Sequence, residues 1–256
     1  MRVDLKCGDC LELMKDIPDK SIDMILCDLP YGTTACKWDV VIPFEPLWEQ
    51  YNRIIKDNGA IVLFGSEPFS SYLRLSNIKM FKYDWVWQKH NSTGFQLANV
   101  MPLKSHEIIS VFSKGATYPR AKNKITYFPQ GVIENTKKRP ARGNKGKYLT
   151  NSGCKCDEYI PKYSNYPKSI ITFDRDKNYL HPTQKPVPLL EYLIKTYTLE
   201  SETVLDNCMG SGSTGVACIN TNRNFIGIEL SEEYYNIAKE RINNIVREDW
   251  YYGRKG

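Results

Sequence analysis

Long apolar runs are missing from this chain. No stretch approaches the ~18 consecutive apolar residues that a membrane-spanning helix needs, and Met1-Arg2-Val3-Asp4 does not open a signal peptide. A cytosolic protein with no membrane partner is therefore expected. Histidine is scarce, at three residues in 256. None of His90, His106 and His181 stands beside a serine in a nucleophile-elbow pattern, and they share no metal-ligand spacing. Internal repeats are absent too. Cysteine is plentiful at eight, but Cys27, Cys208 and Cys218 fall in or beside apolar elements, as small buried thiols do. Cys7-x-x-Cys10 and Cys154-x-Cys156 would form a zinc set only across more than 140 residues, so no metal is expected.

What remains is a chain 41% apolar, enough to bury one sizeable core in a large domain carrying an insertion. Excess charge of one sign is confined to one place. Between Ala116 and Lys168 stand twelve lysines and arginines against three acids, a local charge of +9 in a chain of +6, which leaves −3 for the rest. Seven aromatic residues are interleaved there, from Tyr118 to Tyr166. One reading is a solvated appendage. The other is a nucleic-acid surface gripping phosphates through Arg120, Lys122, Lys137, Lys138, Arg139, Arg142, Lys145 and Lys147.

Two motifs carry chemistry. The apolar run Ile22 to Cys27 has the composition of a strand buried on both faces, and Asp28-Leu29-Pro30-Tyr31 follows it. Loops leaving such strands hold the chemistry of open α/β sheets. The turn combines a carboxylate, a stiffening proline and a ring able to stack on a flat substrate. Far downstream, Thr203-Val204-Leu205-Asp206-Asn207-Cys208-Met209-Gly210-Ser211-Gly212-Ser213-Thr214-Gly215 leads from a short apolar strand into a glycine-rich turn and then the helical stretch Val216 to Thr221, which brings backbone N–H groups against a bound cofactor. A second strand, Asn224 to Leu230, carries Glu229, 19 residues beyond Gly210 and suited to accept both hydroxyls of a ribose. Taken alone, Gly210-x-Gly212-x-x-Gly215 with that acid fits NAD as well as S-adenosylmethionine. Only 27 residues follow Glu229, too few for the further βα units of a dinucleotide domain. The missing strands must come from the N-terminal half.

With its Asp-x-Pro-Tyr turn first and its glycine loop last, the chain resembles the β group of amino DNA methyltransferases, whose signature is Asp/Asn/Ser-Pro-Pro-Tyr/Phe/Trp. His181-Pro182-Thr183-Gln184-Lys185-Pro186 matches the stretch that precedes the glycine loop in that family. The resemblance covers residues 1 to about 114 and about 166 to 245. It departs at Leu29, where the family has a first proline, and at Asn207-Cys208, where the family has Pro-Phe.

The resemblance implies a Rossmann-like α/β domain over 1–115 and 166–256. Its sheet would be mostly parallel and seven-stranded, in permuted order, with helices on both faces. Residues 116–165 would be a target-recognition insert. Val3 to Cys7 would lie beside the Glu229 strand, and Tyr83 to Gln88 with Glu107 to Phe112 would close the sheet as an antiparallel pair. A helix over 45–57 is expected to end at Asn58-Gly59. The implied cofactor is S-adenosylmethionine, held by Asp9, Cys10, Asp28, Thr183, Lys185, Asp206, Cys208, Met209, Gly210, Ser211, Gly212, Ser213, Thr214 and Glu229. The implied catalytic turn is Asp28, Leu29, Pro30 and Tyr31, acting on the N6 amine of an adenine flipped out of double-stranded DNA. Asp28 and the Leu29 carbonyl would accept from the amine, and Tyr31 would stack on the base. N4-cytosine methylation is the alternative. An NAD-binding protein, a catalytically idle DNA-binding relative and methylation of RNA or protein glutamine stand behind it. Cytosine C5 chemistry needs a nucleophilic Pro-Cys, and that dipeptide is absent. A homodimer and a cognate restriction enzyme are left open.

Overall fold

The computed structural model describes residues 1–32, 39–135, 162–174 and 184–252. In chain order the elements are β1 (Val3–Cys7), α1 (Cys10–Leu13), β2 (Ile22–Cys27), α2 (Phe44–Ile54), β3 (Ile55–Gly65), α3 (Phe69–Ser76), β4 (Phe81–Thr93) and β5 (Lys104–Phe112). Then come the short strands β6 (Ile133–Glu134), β7 (Tyr163–Ser164) and β8 (Ile170–Thr172). The C-terminal part supplies α4 (Val187–Tyr197), β9 (Thr203–Asp206), α5 (Ser213–Asn220), β10 (Asn224–Glu229) and α6 (Glu232–Tyr252).

One sheet runs β1-β10-β9-β2-β3-β5-β4-β8. It has eight strands rather than the seven expected, because β8 adds in parallel to β4. β1 does pair with β10, and β2 stands between β9 and β3, so the N-terminal strands complete the sheet that β9 and β10 begin. Only β5 runs against its neighbours.

All six residues of β2 are buried, and their alternation separates two cores. Met24 and Leu26 join Val62, Phe64 and Trp87 under α4, α5 and α6. Ile25 and Cys27 join Ile61 and Leu63 under α1, α2 and α3. Helix α2 turns Leu47, Trp48, Tyr51 and Ile54 inward at helical spacing. It stops at Ile54, short of Asn58-Gly59, which lies within β3 instead. A Cβ at Gly59 would sit 2.8 Å from the Asp23 carbonyl oxygen. That glycine therefore serves a close approach of β3 to β2, where their register shifts, rather than a helix end.

The chain divides into Met1–Phe128 with Ser169–Gly256 and, separately, Pro129–Lys168. The expected insert began earlier, at 116. Residues 116–128 belong to the larger unit: Ala116 bridges Lys124, Ile125 is buried in its core, and the Phe128 N–H donates to the Thr196 carbonyl at 2.7 Å. The described part of the smaller unit is the β6–β7 antiparallel pair.

Candidate active site

Sheet order reverses between β2 and β9, and the loops leaving adjacent strands diverge there to leave a crevice. A cavity of about 510 Å³ occupies that edge, within the range of small-molecule sites. Asp28, Leu29, Pro30 and Tyr31 line it from β2, Asp206, Cys208, Met209, Gly210 and Ser211 from β9. Ser213 and Thr214 of α5, Glu229 of β10, Lys185, and Asp9 and Cys10 after β1 line it as well. Gly212 is not part of the wall. It caps α5 at φ +79°, and a Cβ there would meet Ala238 at 3.0 Å, so it serves the packing of α5 on α6. Thr183 and His181 lie outside the described residues, as do Lys137, Lys138, Arg139, Arg142, Lys145 and Lys147. Arg120 and Lys122 are exposed on the larger unit.

The glycine loop is held by carboxylates at both ends. Glu229 Oε2 accepts from the Gly210 N–H at 2.8 Å, and Oε1 accepts from the Ser231 N–H at 2.9 Å. Each oxygen keeps a second lone pair for a ligand hydroxyl. Asp206 accepts from Thr214 Oγ1 at 2.6 Å and from the Cys208 N–H at 3.1 Å. Burial pushes its carboxyl up to about 6, against the pull of the Thr214 hydroxyl. Asp9 caps α1, accepting from the Leu11 N–H at 2.8 Å, so one of its oxygens is already committed. Where the family has Pro-Phe, Asn207 is buried, and its Oδ1 accepts from the Tyr51 hydroxyl of α2 at 2.5 Å. Its amide lies 3.6 Å from both the Cys10 and Cys208 sulfurs. The departure is thus compensated by a polar contact between α2 and the loop.

The Asp28–Tyr31 turn is also engaged at both ends. Tyr31 donates its hydroxyl to Asp28 Oδ1 at 2.5 Å, and its ring lies 4.9 Å from that of Phe69, centroid to centroid. The Tyr31 hydroxyl, for which no contact was expected, is thus committed to Asp28. Lys185, expected beside the cofactor, lines the cavity and is hydrogen-bonded to Asp28 Oδ2. Burial raises the Asp28 carboxyl, Lys185 draws it down, and the net is upward. For Lys185, burial disfavours the charge, but Asp28 and Glu107 outweigh it and hold the amine protonated.

Glu107 and Lys89 are cavity-lining residues that sequence reasoning missed. Their signal was an acid opening the mostly apolar run Glu107 to Phe112 and a lysine two residues after Trp87. Among the described residues no group of three His, Cys, Asp or Glu side chains is placed to hold a metal, and no helix is long and apolar enough to cross a membrane.

Comparison with known proteins adds to this geometry. A family model described as DNA methylase matches residues 22–240. The Type II methyltransferase M.HpaI of Haemophilus parainfluenzae is 26% identical over 254 residues, 94% of this chain and 74% of that protein. The DNA adenine methyltransferase YhdJ of Escherichia coli K12 is 28% identical over 253 residues, 92% of this chain and 81% of that one. The crystal structure of an M1.HpyAVI–SAM complex superposes with a TM-score of 0.60 at 25% identity, covering 93% of this chain and 99% of the other.

Proposed function

The chain belongs to this family of DNA methylases, and on that footing we propose that it transfers a methyl group from S-adenosylmethionine to the exocyclic N6 amine of adenine in double-stranded DNA. The observation that carries the reading is the adjacency of the two loops: the Asp28–Tyr31 turn and the glycine loop wall one cavity from neighbouring strands. That adjacency sets a carboxylate and an aromatic ring beside a backbone cradle closed by Glu229.

The cavity suits the cofactor. Glu229 stands at a strand end with lone pairs open to two ribose hydroxyls, and the Gly210 turn exposes backbone to a close ligand. With S-adenosylmethionine bound, the methyl group is already activated on a sulfonium, so the protein's task is positioning. The target base is flipped out of the duplex at a cost of about a few kcal/mol, recovered by stacking. Tyr31 offers the ring face for that stacking. The Asp28 carboxylate and Leu29 carbonyl accept from the amine N–H groups, withdrawing its lone pair from the aromatic ring and aiming it at the methyl carbon. Residues of the basic segment from Ala116 to Lys168 hold the duplex by its phosphates and read the target site. The Type II designation of relatives supports extending the proposal to a companion restriction enzyme acting in the cytoplasm, and size-exclusion chromatography tests the homodimer.

The purified protein, incubated with unmethylated genomic DNA and isotope-labelled S-adenosylmethionine, should place label in N6-methyladenosine after digestion to nucleosides. Label in N4-methylcytosine would install the cytosine alternative. DNA retardation without label would mark an idle DNA-binding relative.

A further inference from the structure

Behind the catalytic turn lies a chain of four charges. Lys89 of β4 is paired with Glu107 Oε1 of β5, Glu107 Oε2 lies 3.5 Å from Lys185 Nζ, and Lys185 bonds Asp28 Oδ2. The side chains are largely buried, at 8% exposure for Lys89, 14% for Glu107, 9% for Lys185 and 21% for Asp28. Glu107 stands directly across from Trp87, with Lys89 two residues on along the same face. The ammonium groups are backed by rings, Lys89 at 5.0 Å from Trp87 and Lys185 at 5.1 Å from Phe64. Burying charges is expensive even when they are paired. Lys185 alone would neutralise Asp28, so the second acid and second lysine are surplus to local charge balance at the turn.

We propose that Glu107, held by Lys89, is a positioning residue for methyl transfer: it divides Lys185 between two carboxylates and so keeps Asp28 a strong acceptor for the target amine. This rests on the reading of Asp28 given above. An ammonium shared with Glu107 withdraws less electron density from the Asp28 oxygens than one committed to them. Glu107 Oε2 holds Lys185 at ion-pair range, 3.5 Å, while Lys185 bonds Asp28 Oδ2 directly. The shifts run the same way. Burial would raise Glu107, but Lys185 and Lys89 bring it below the usual carboxylate range. Asp28, sharing one lysine and facing Glu107, lies above it.

Among the described residues, the groups acting on Asp28 are Cys27 and Tyr31 from its own strand and turn, Asp206 from β9, Lys185 before α4 and Glu107 from β5, with Lys89 of β4 behind. Among these, Glu107 and Lys89 carry opposite charge and should move Asp28 in opposite directions. Glu107→Gln removes the second carboxylate from Lys185 and lowers the pKa of Asp28. Lys89→Gln frees Glu107 to act on Lys185 and raises it.

The test is the pH dependence of single-turnover methylation, using labelled S-adenosylmethionine and unmethylated genomic DNA. Glu107→Gln should slow transfer by about tenfold or more and shift the acidic limb to lower pH by about half a unit or more. Lys89→Gln should shift the limb to higher pH, and the double variant should return it toward wild type, with S-adenosylmethionine affinity unchanged throughout. Limbs that stay put, or move the same way in both single variants, overturn the proposal. Loss of folding cannot produce opposite shifts, and if Glu107→Gln does not fold, the upward shift in Lys89→Gln still decides. Asp28→Asn separates the two readings: wild-type transfer in that variant removes Asp28 as acceptor. An inactive Asp28→Asn beside unmoved limbs removes only the role of Glu107.

Discussion

The Tyr31 hydroxyl donates to Asp28 Oδ1 across 2.5 Å, so the two functional ends of the Asp28–Tyr31 turn brace each other. With Lys185 on Oδ2, the carboxylate is oriented from both sides while each oxygen retains a lone pair. On the proposed reading, an acceptor held in this way is preorganised for an incoming amine, and electrostatic stabilisation of this kind costs no reorganisation during reaction.

Removing that hydroxyl should have a measurable cost. Tyr31→Phe keeps the ring beside Phe69 but deletes a hydrogen bond to a charged group, worth about 1.5–3 kcal/mol. We expect kcat/KM to fall by about tenfold or more, with the acidic limb moving up because the phenol lowers the Asp28 carboxyl. Tyr31→Ala should lose more through the missing stack. A Phe variant with the wild-type rate and pH profile would confine Tyr31 to stacking.

Glu229→Ala strips acceptors from the Gly210 and Ser231 N–H groups and, on the proposed reading, from the ribose hydroxyls. Calorimetry should show S-adenosylmethionine binding weakened by about 1.5–3 kcal/mol. Unchanged cofactor affinity would remove Glu229 from the ribose site.

Asp206 makes stability depend on pH. Its folded carboxyl sits at about 6 against an ordinary 3.8, so below pH 4 its protonated form contributes fully, and that contribution is lost as pH rises through 6. The linkage amounts to about 3 kcal/mol. Melting curves of Asp206→Asn should lack this downward slope between pH 4 and 6, and identical slopes in variant and wild type would show that the carboxyl is not raised.

The Tyr51–Asn207 contact is buried at both ends. Tyr51→Phe leaves the Asn207 carbonyl without its phenol donor and should cost about 1–3 kcal/mol, lowering Tm by roughly 2–4 °C per kcal/mol for a chain of this size. Differential scanning calorimetry reads this directly, and an unchanged Tm would make the contact incidental.

For the basic segment, neutralising Lys137, Lys138 and Arg139 together should weaken DNA binding at every sequence. Each phosphate that is no longer neutralised by a lysine or arginine lowers the slope of log K against log salt by about 0.9. S-adenosylmethionine affinity should not change. A triple variant with the wild-type salt slope would return the segment to the status of a solvated appendage.

The strands and loops of the site were legible in the sequence because their signals are local. A mostly apolar run marks β2 as buried on both faces, glycine and proline mark the turns after it and after β9, and the order of the Asp28–Tyr31 turn before the glycine loop pointed to the permuted arrangement. Side-chain partners were not legible, because they depend on which strands become neighbours. Lys185 meets Asp28 across 157 residues and Tyr51 meets Asn207 across 156, and no periodicity encodes such pairings. Asn58-Gly59 has the chemistry of a helix end, yet its small residue was needed where β3 crosses close to Asp23. Glu107 looked like one acid entering an apolar strand. Only the packing of β4, β5 and the segment before α4 around one cavity turned it into the partner of two buried lysines, since a charge withdrawn from water must find its counterion wherever the fold brings one.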